Sequence, residues 1–152
     1  PGRGRCVVGA ASDESAVSAE RNAEVMRCYL EEVVGEGKFE LIPELAAEDM
    51  EDHTNDIPGR AGLVAHVTGF RERIPDVEVT VQRVIASADD VVGVWRWQGT
   101  HSADMFGVPA TGRRLDVVTA SIFKMRDGMI ADYRVVTGAL QAVQQMGVSI
   151  TL

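Results

Sequence analysis

The chain has 152 residues, of which 45% are hydrophobic and 25% charged, and its formal net charge is -8 at pH 7. This length suffices for one domain with a buried core that needs no disulfides or metals to stabilise it. The 15 basic residues form no cluster among the 23 acidic ones, which argues against nucleic acid and anionic membrane surfaces as partners.

The cysteines and the first residues carry no functional signal. Cys6 and Cys28 fit neither a disulfide framework nor the paired spacing of a zinc site, and Cys28 fits a small buried side chain within a helix. Residues 1–17 have no period and predict a mobile tail, which leaves residues 18–152 as one domain. Because no apolar run typical of a signal peptide or membrane span occurs, we expect a cytoplasmic protein.

Helical periodicity marks the first half of the domain. Apolar residues recur at three- and four-residue steps from Ser18 to Gly35, which predicts a first helix. A shorter helical pattern covers residues 38–47, where Pro43 is tolerated only in a first turn or as a kink. A third apolar face predicts a helix over residues 60–74.

These segments contain several residues that could belong to a site. Met26 and Tyr29 of the first helix and Phe70 of the third could line a pocket, although apolar stripes at this spacing are usually core. His66 lies at the edge of the third stripe, and we interpret it as a boundary residue that reaches water. His53 lies in an acidic segment, where nearby carboxylates would favour its protonated form.

Beyond Pro75 the hydrophobic period changes from 3.6 to 2, and β-branched residues become frequent. Asp127 and Gly128 give the strongest hairpin signal in the chain. Short or moderate turns between consecutive strands indicate an antiparallel meander. The predicted elements are strands over residues 77–82, 91–101, 112–125 and 129–136, and a closing helix over residues 139–147.

Helices followed by strands indicate an α+β fold in which a curved antiparallel sheet wraps around the helices. Val92 and Val94 fall on one face of the second strand, and Trp95 and Trp97 fall on the other. Since both faces are apolar, we expect the helices to cover one and a second copy of the chain to cover the other. This predicts a homodimer or a higher oligomer, with a cavity between the helices and the sheet.

The candidate chemistry is concentrated in the later strands. No nucleophile elbow, phosphate loop, dinucleotide fingerprint or zinc spacing occurs, so we expect no metal and no cofactor. His101 ends the second strand and Asp104 lies in the loop that follows. A carboxylate near an imidazole can raise its basicity, although Asp104 fits a structural loop role equally well. Trp95 and Trp97 either contact a flat apolar ligand or pack in the core or a dimer interface, and Tyr133 either donates a hydrogen bond to a ligand oxygen or packs.

Five segments, in this order along the chain, resemble the SnoaL-like polyketide cyclase family. They are residues 49–53 (DMEDH), 97–101 (WQGTH), 106–113 (FGVPATGR), 122–130 (IFKMRDGMI) and 145–147 (QMG). The resemblance extends over most of the chain after the tail. It implies a cone-shaped α+β barrel of the nuclear transport factor superfamily, the fold shared with ketosteroid isomerase, which encloses one apolar pocket.

The resemblance also implies an enzyme that acts on an aromatic, anthracycline-type polyketide. Family members close rings of polyketide esters by aldol chemistry, and some relatives hydroxylate the polyketide without a metal or flavin. The cyclases carry an acid–base aspartate on the last strand, with polar partners on the strand before it. Here the matching positions are Thr119, Ser121 and residues 135–138, which include no acid. Asp132 is three residues before Val135, so in a strand its side chain points to the opposite face.

Aldol closure needs a base and an acid, so the missing aspartate favours a cofactor-independent hydroxylase of an aromatic polyketide. Two alternatives stay open: a cyclase whose base has moved to Asp104, and a non-catalytic protein that binds or shields a polyketide. We predict that Asp104, His101 and His53 handle protons. The predicted substrate-binding residues are Met26, Tyr29, Phe70, Trp95, Trp97, Phe106, Thr119, Ser121 and Tyr133.

Overall fold

The computed structural model of the chain describes residue 6 and residues 15–151. The predicted tail of residues 1–17 lies outside the described residues, except at residue 6 and residues 15–17. No helix in the described part of the chain is long and apolar enough to span a membrane. In chain order, the elements are α1 (Ser15–Cys28) with a π-helical continuation (Tyr29–Val34), a 3₁₀ turn (Phe39–Leu41), α2 (Ile42–Leu45), β1 (Ala46–Asp52), α3 (Arg60–Arg73), β2 (Glu78–Ala86), β3 (Asp90–Thr100), β4 (Arg114–Arg126), β5 (Met129–Thr137) and α4 (Ala139–Gln145).

The predicted first helix is confirmed, and it starts at Ser15, earlier than the Ser18 expected from the pattern. Its last part is π-helical, and the Gly35 N–H donates to the Leu30 carbonyl oxygen, five residues back. The helix packs on β2 and β3. The residues of its apolar stripe are all buried: Val25, Met26, Tyr29, Leu30 and Val33.

The segment before α3 differs from the prediction. A helix over residues 38–47 and a polar loop were expected, but α2 has only four residues, with Pro43 in its first turn, and β1 follows it directly. In β1 the acidic side chains at positions 48, 49 and 51 point outward, whereas Met50 and Asp52 are buried. Acidic residues are poor strand formers, and for this reason the local pattern did not indicate a strand.

The four predicted strands are confirmed as an antiparallel meander, β2 to β5. The new strand β1 pairs in parallel with β5, so the sheet is mixed and has the order β1-β5-β4-β3-β2. Trp95 lies opposite Thr119 across the β3–β4 ladder, and Ser121 lies opposite Val135 across the β4–β5 ladder. These pairs bring the candidate polar residues of β4 between the tryptophans and the last strand.

The two faces of the sheet separate as the alternation predicts. On β3, Trp95 and Trp97 are buried, while Val92 and Val94 lie half-buried on the opposite face. The helices α1 and α3 lie over the face that bears the tryptophans, and the hydrophobic core forms between them and the sheet. The α+β class is therefore confirmed.

One glycine of β3 marks the closest approach between the sheet and the segment after α3. A Cβ atom at Gly99 would lie 2.2 Å from Ile74 Cγ2 and 2.9 Å from Asp76 Oδ1. Because such overpacking shifts backbone as well as side chains, Gly99→Ala is expected to lower the free energy of unfolding by about 1–3 kcal/mol. Urea denaturation measures this. Gly93→Ala is the comparison, because the atoms nearest to its Cβ would be Cγ and Sδ of the flexible Met26 side chain, each at 2.7 Å, and Leu30 Cδ1 at 3.1 Å. Equal stability of Gly99→Ala and wild type would contradict this packing.

Candidate active site

A cavity of about 340 Å³ opens between α3, the tryptophan-bearing face of the sheet and the loop after β3. Its volume lies within the range of small-molecule sites. The lining is mostly apolar and aromatic, with few ionisable groups. The lining residues are Tyr29, Val34, Thr54, His66, Val67, Phe70, Arg73, Trp95, Trp97, Asp104, Met105, Phe106, Thr119, Tyr133, Val135 and Thr137.

The aromatic wall of the cavity consists of Phe70, Trp95 and Trp97. The Phe70 ring meets both indoles edge to face, with centroid distances of 6.1 Å to Trp95 and 5.2 Å to Trp97. The indole N–H groups donate to Ser121 Oγ and Thr119 Oγ1, each at 3.1 Å. Because their only donors are satisfied within the sheet, the indoles offer the cavity flat apolar surface.

A histidine–aspartate pair lies on one side of this cavity. His66, on α3, has its Nδ1 atom 2.9 Å from Oδ2 of Asp52, the last residue of β1. The Asp52 side chain is fully buried, and its Oδ1 atom accepts hydrogen bonds from the Thr54 N–H at 2.9 Å and the Thr54 hydroxyl at 2.7 Å. Burial by itself raises the pKa of the Asp52 carboxyl. The hydrogen bond and the charge of His66, together with two hydrogen bonds from Thr54, outweigh burial and lower this pKa below its usual value.

The ionised Asp52 carboxylate sets the tautomer of His66. A carboxylate only accepts, so Nδ1 carries the proton that it receives, and in the neutral ring Nε2 keeps its lone pair. Nε2 has no hydrogen-bond partner among the described residues, and the ring borders the cavity. This is the arrangement of a general base: an oriented imidazole with a free nitrogen beside a site that a ligand can fill.

Tyr133 lies next to this base and presents a hydroxyl donor. Its ring stacks on His66 at a centroid distance of 5.2 Å. Trp95 Nε1 can only donate, so Ser121 Oγ accepts from it and can donate its own proton to the Tyr133 hydroxyl at 3.1 Å. Burial raises the pKa of Tyr133 to about 12. The Tyr133 hydroxyl thus stays protonated at neutral pH, and when Ser121 donates to it, its own proton can go to a ligand oxygen.

The rim of the cavity is formed by the loop after β3. The Arg73 Nε–H donates to the Asp104 carbonyl oxygen at 2.9 Å, and Met105 pairs with Val108 in an isolated bridge. Between them, Phe106 adopts a φ of 53° and is 51% exposed. A non-glycine residue in this backbone region is uncommon and points to a constrained loop. Asp104, Met105 and Phe106 of this loop all border the cavity.

The structure does not bring the predicted catalytic residues together. His101 is completely buried, does not line the cavity, and has its Nδ1 atom 2.9 Å from Thr111 Oγ1, with Nε2 buried and unpartnered. Asp104 does line the cavity, but it forms no hydrogen bond with His101. His53 lies outside the cavity, where its Nε2 atom is 2.6 Å from Asp132 Oδ2.

Of the nine predicted substrate-binding residues, seven line the cavity and two lie behind its wall. Met26 is fully buried against Gly93, because the strand lacks a Cβ atom there and the methionine fills that space. Ser121 is also fully buried and bonds to Trp95 and Tyr133. The seven at the cavity are Tyr29, Phe70, Trp95, Trp97, Phe106, Thr119 and Tyr133.

His66 is the site residue that the sequence interpretation missed. It was interpreted as a boundary residue, but its ring lines the cavity and contacts Asp52 and Tyr133. Asp52 and His66 are 14 positions apart and belong to different elements, so no local spacing connects them. The available signal was the acidic segment itself, in which Met50 and Asp52 alternate inward with exposed acids.

Two groups of side chains among the described residues bring three ligand atoms close enough for a metal ion. The first group is Cys6, Cys28 and Glu32, near the end of α1. The second is Glu51, His53 and Asp132, where β1 pairs with β5. None of these six residues lines the cavity. Burial raises the pKa of the Cys28 thiol well above its usual range, as expected for a core cysteine.

Comparison with known proteins identifies the family. The model of the SnoaL-like polyketide cyclases matches residues 23–146. This chain belongs to the SnoaL-like polyketide cyclase family. The match covers α3, all five strands and both members of the His66–Asp52 pair, so the cavity lies within the family domain. No match was found among curated proteins.

Solved structures show the same fold. A candidate SnoaL-like polyketide cyclase from Jannaschia sp. CCS1 is 23% identical, with a TM-score of 0.78 over 92% of this chain and 100% of that one. IdmH from Streptomyces antibioticus, a candidate polyketide cyclase, is 27% identical (TM-score 0.70; coverage 84% and 99%). AclR from Streptomyces galilaeus, a candidate hydroxylase, is 17% identical (TM-score 0.72; coverage 88% and 89%). These similarities confirm the cone-shaped fold expected from the family resemblance.

Proposed function

We propose that this SnoaL-like protein is a polyketide cyclase in which His66 is the general base of an intramolecular aldol reaction. The observation that carries the proposal is the His66–Asp52 pair at the cavity. The hydroxylase was favoured because no inward acid–base group was found on the last strand. The pair supplies such a group from α3 and β1, so that reason for preferring hydroxylation no longer holds.

The proposed reaction is an isomerisation whose protons balance within the site. His66 Nε2 removes a proton from a carbon beside a carbonyl group of the substrate, and Asp52 stabilises the imidazolium that forms. The enolate carbon attacks a second carbonyl carbon of the same molecule and closes the ring. The alkoxide produced there takes the proton back from His66. No oxidant or reductant is consumed.

Tyr133 has the position to stabilise the charge that develops in this reaction. Its hydroxyl stays protonated and can accept from Ser121, which leaves its own proton to donate to the enolate oxygen. A donor that is oriented before the reaction stabilises developing charge without further reorganisation. Removing the hydroxyl in Tyr133→Phe is expected to lower turnover by about tenfold to 100-fold while the stacked ring is retained, as steady-state kinetics would measure. Unchanged turnover in Tyr133→Phe would contradict this role.

The aromatic wall supports a ring-containing substrate. Phe70, Trp95 and Trp97 present apolar faces and edges to the cavity. An aromatic polyketide of the anthracycline type fits such a wall, because stacking and edge-to-face contacts hold a flat ring system. Enclosing that ring system also excludes water from the enolate.

The reaction type is tested by incubating the purified protein with a ring-open aromatic polyketide, with and without oxygen. Aldol closure gives a product of the same mass, or one lighter by water, at equal rates in both conditions. Hydroxylation gives a product heavier by one oxygen atom and only when oxygen is present. Oxygen-dependent product would overturn the cyclase proposal in favour of hydroxylation. Binding without any product would leave a polyketide-binding protein, the third alternative.

We also propose that the chain forms a homodimer through the outer face of the sheet. On this face Val136 of β5 is 62% exposed and lies opposite Ala120 of β4, and Val118 of β4 is exposed as well. Exposed apolar patches of this kind mark protein interfaces. Val136→Glu is expected to shift the mass measured by light scattering from dimer to monomer. A wild-type protein that is monomeric at micromolar concentration would contradict the dimer.

A further inference from the structure

A positively charged side chain lies at the rim of the cavity. Arg73 ends α3, borders the cavity, and is seven residues after His66 on the same helix. Seven residues are close to two helical turns, so both side chains leave the same face of α3, separated by roughly 10 Å along its axis. Phe70 and Val67, which also line the cavity, lie between them on that face.

The end of the Arg73 guanidinium is available to a ligand. Its Nε–H donates to the Asp104 carbonyl oxygen, which fixes the plane of the group. Its two terminal nitrogens have no carboxylate within ion-pair distance among the described residues. By contrast, three arginines of the sheet are paired with acids: Arg96 with Asp116, Arg114 with Glu78 and Arg126 with Asp49. In a chain with a net charge of -8, an unpaired arginine at the mouth of a cavity calls for a counter-ion.

We propose that Arg73 binds a free carboxylate of the substrate, so that this enzyme takes a polyketide acid rather than its ester. The inference rests on the proposed function, because it places the reacting carbon at His66. The acid group would lie roughly 10 Å from that carbon, with the ring system between them against Phe70. The planar fork of a guanidinium matches the two oxygens of a carboxylate, whereas a neutral ester offers no charge and one good acceptor.

Besides the buried tyrosines, two further ionisable side chains line the cavity. They are His66, at the far end of the α3 face, and Asp104, on the rim. The Asp104 side chain forms no ion pair with Arg73, and its carboxylate repels an anion that enters the cavity. Arg73 is therefore the attractive charge, and Asp104 limits how much negative charge the site accepts. Asp104→Asn is expected to bind an acid about twofold to threefold more tightly.

Quenching of tryptophan fluorescence tests the inference without any turnover. The probes are anthraquinone-2-carboxylate and its methyl ester, and the reporters are Trp95 and Trp97 in the cavity wall. Wild type is expected to bind the acid about tenfold more tightly than the ester. Arg73→Leu is expected to lose this preference with unchanged affinity for the ester, and Arg73→Lys to keep part of it. Arg83→Leu, an exposed β2 arginine outside the lining, removes the same charge and should match wild type.

Three results would overturn the carboxylate site. The first is equal affinity of wild type for the acid and the ester, and the second is no binding of either probe. The third is an equal loss of affinity for both probes in Arg73→Leu. The last result would mean that Arg73 only supports the loop through Asp104. Thermal unfolding of each variant separates loss of binding from loss of fold. Because ligand binding and proton transfer are measured separately, failure of this inference leaves the role of His66 standing, and the converse also holds.

Discussion

Replacing His66 with glutamine is expected to lower turnover by at least about 100-fold, with a much smaller change in substrate affinity. A positioned general base typically contributes this much, and the glutamine amide cannot take up a proton. One ring nitrogen of His66 is bonded to Asp52, and the other has no partner in the part of the chain that the structure describes. The substitution therefore removes the basic atom and keeps a polar side chain of similar reach. Steady-state kinetics on the ring-open substrate measure the effect.

His53→Gln is the matched control for this experiment. His53 also has a ring nitrogen close to an aspartate, but the pair lies at the β1–β5 edge outside the cavity. We expect its turnover to stay within about twofold of wild type, since surface substitutions away from a site have small effects. The assignment of the base to His66 would be wrong if His53→Gln lost activity and His66→Gln did not.

Asp52→Asn is expected to reduce turnover by about 100-fold or more while the substrate still binds. The asparagine carries no charge to stabilise the imidazolium, and its amide can turn a donor toward Nδ1 and move the ring proton to Nε2. Turnover is again measured by steady-state kinetics. Asp49→Asn, an exposed acid of the same strand that pairs with Arg126, should keep wild-type turnover. Equal activity of Asp52→Asn and wild type would exclude Asp52 as the positioning residue.

The same carboxylate also gives the fold a pH dependence. Its pKa is lower in the folded chain than in the unfolded one, so the folded state holds fewer protons. The stability that this provides is fully present above the unfolded pKa of about 4, and it is lost as the pH falls through the lower folded pKa. Urea denaturation between pH 7 and pH 3 should show a shallower acid loss of stability in Asp52→Asn than in wild type. Identical pH dependence would contradict the lowered pKa.

Much of the fold follows from periodicity. The stripes of α1 and α3 and the alternation of β2 to β5 were predicted because each element buries one face, and burial leaves a repeat in the sequence. The strand β1 was missed because its pairing with β5 is parallel and connects distant segments, and its exposed positions are acidic. Since β1 ends at Asp52, missing the strand also hid the partner of His66.

Part of the site also follows from this periodicity. The alternation of β3 predicts that Trp95 and Trp97 share one face, which the structure shows to be the inner one, and the same alternation places His101 on that face. The alternation does not show what packs against a side chain, and His101 is buried with its Nδ1 atom hydrogen-bonded to Thr111. The neighbourhood of His101 and Asp104 in sequence suggested a pair that the loop geometry does not form. Side chains from separate elements, such as His66 and Asp52, meet only through tertiary packing.

The most direct measurement of the central claim is proton exchange at carbon, because it does not require the natural substrate. A naphthyl α-methyl β-keto ester has one acidic carbon-bound proton and cannot cyclise, so deuterium uptake from D₂O, followed by NMR, reports the base alone. Wild type and His53→Gln are expected to accelerate uptake above the uncatalysed rate, and His66→Gln is expected to remain at that rate. If His66→Gln accelerated deuterium uptake as much as wild type does, His66 would not be the general base.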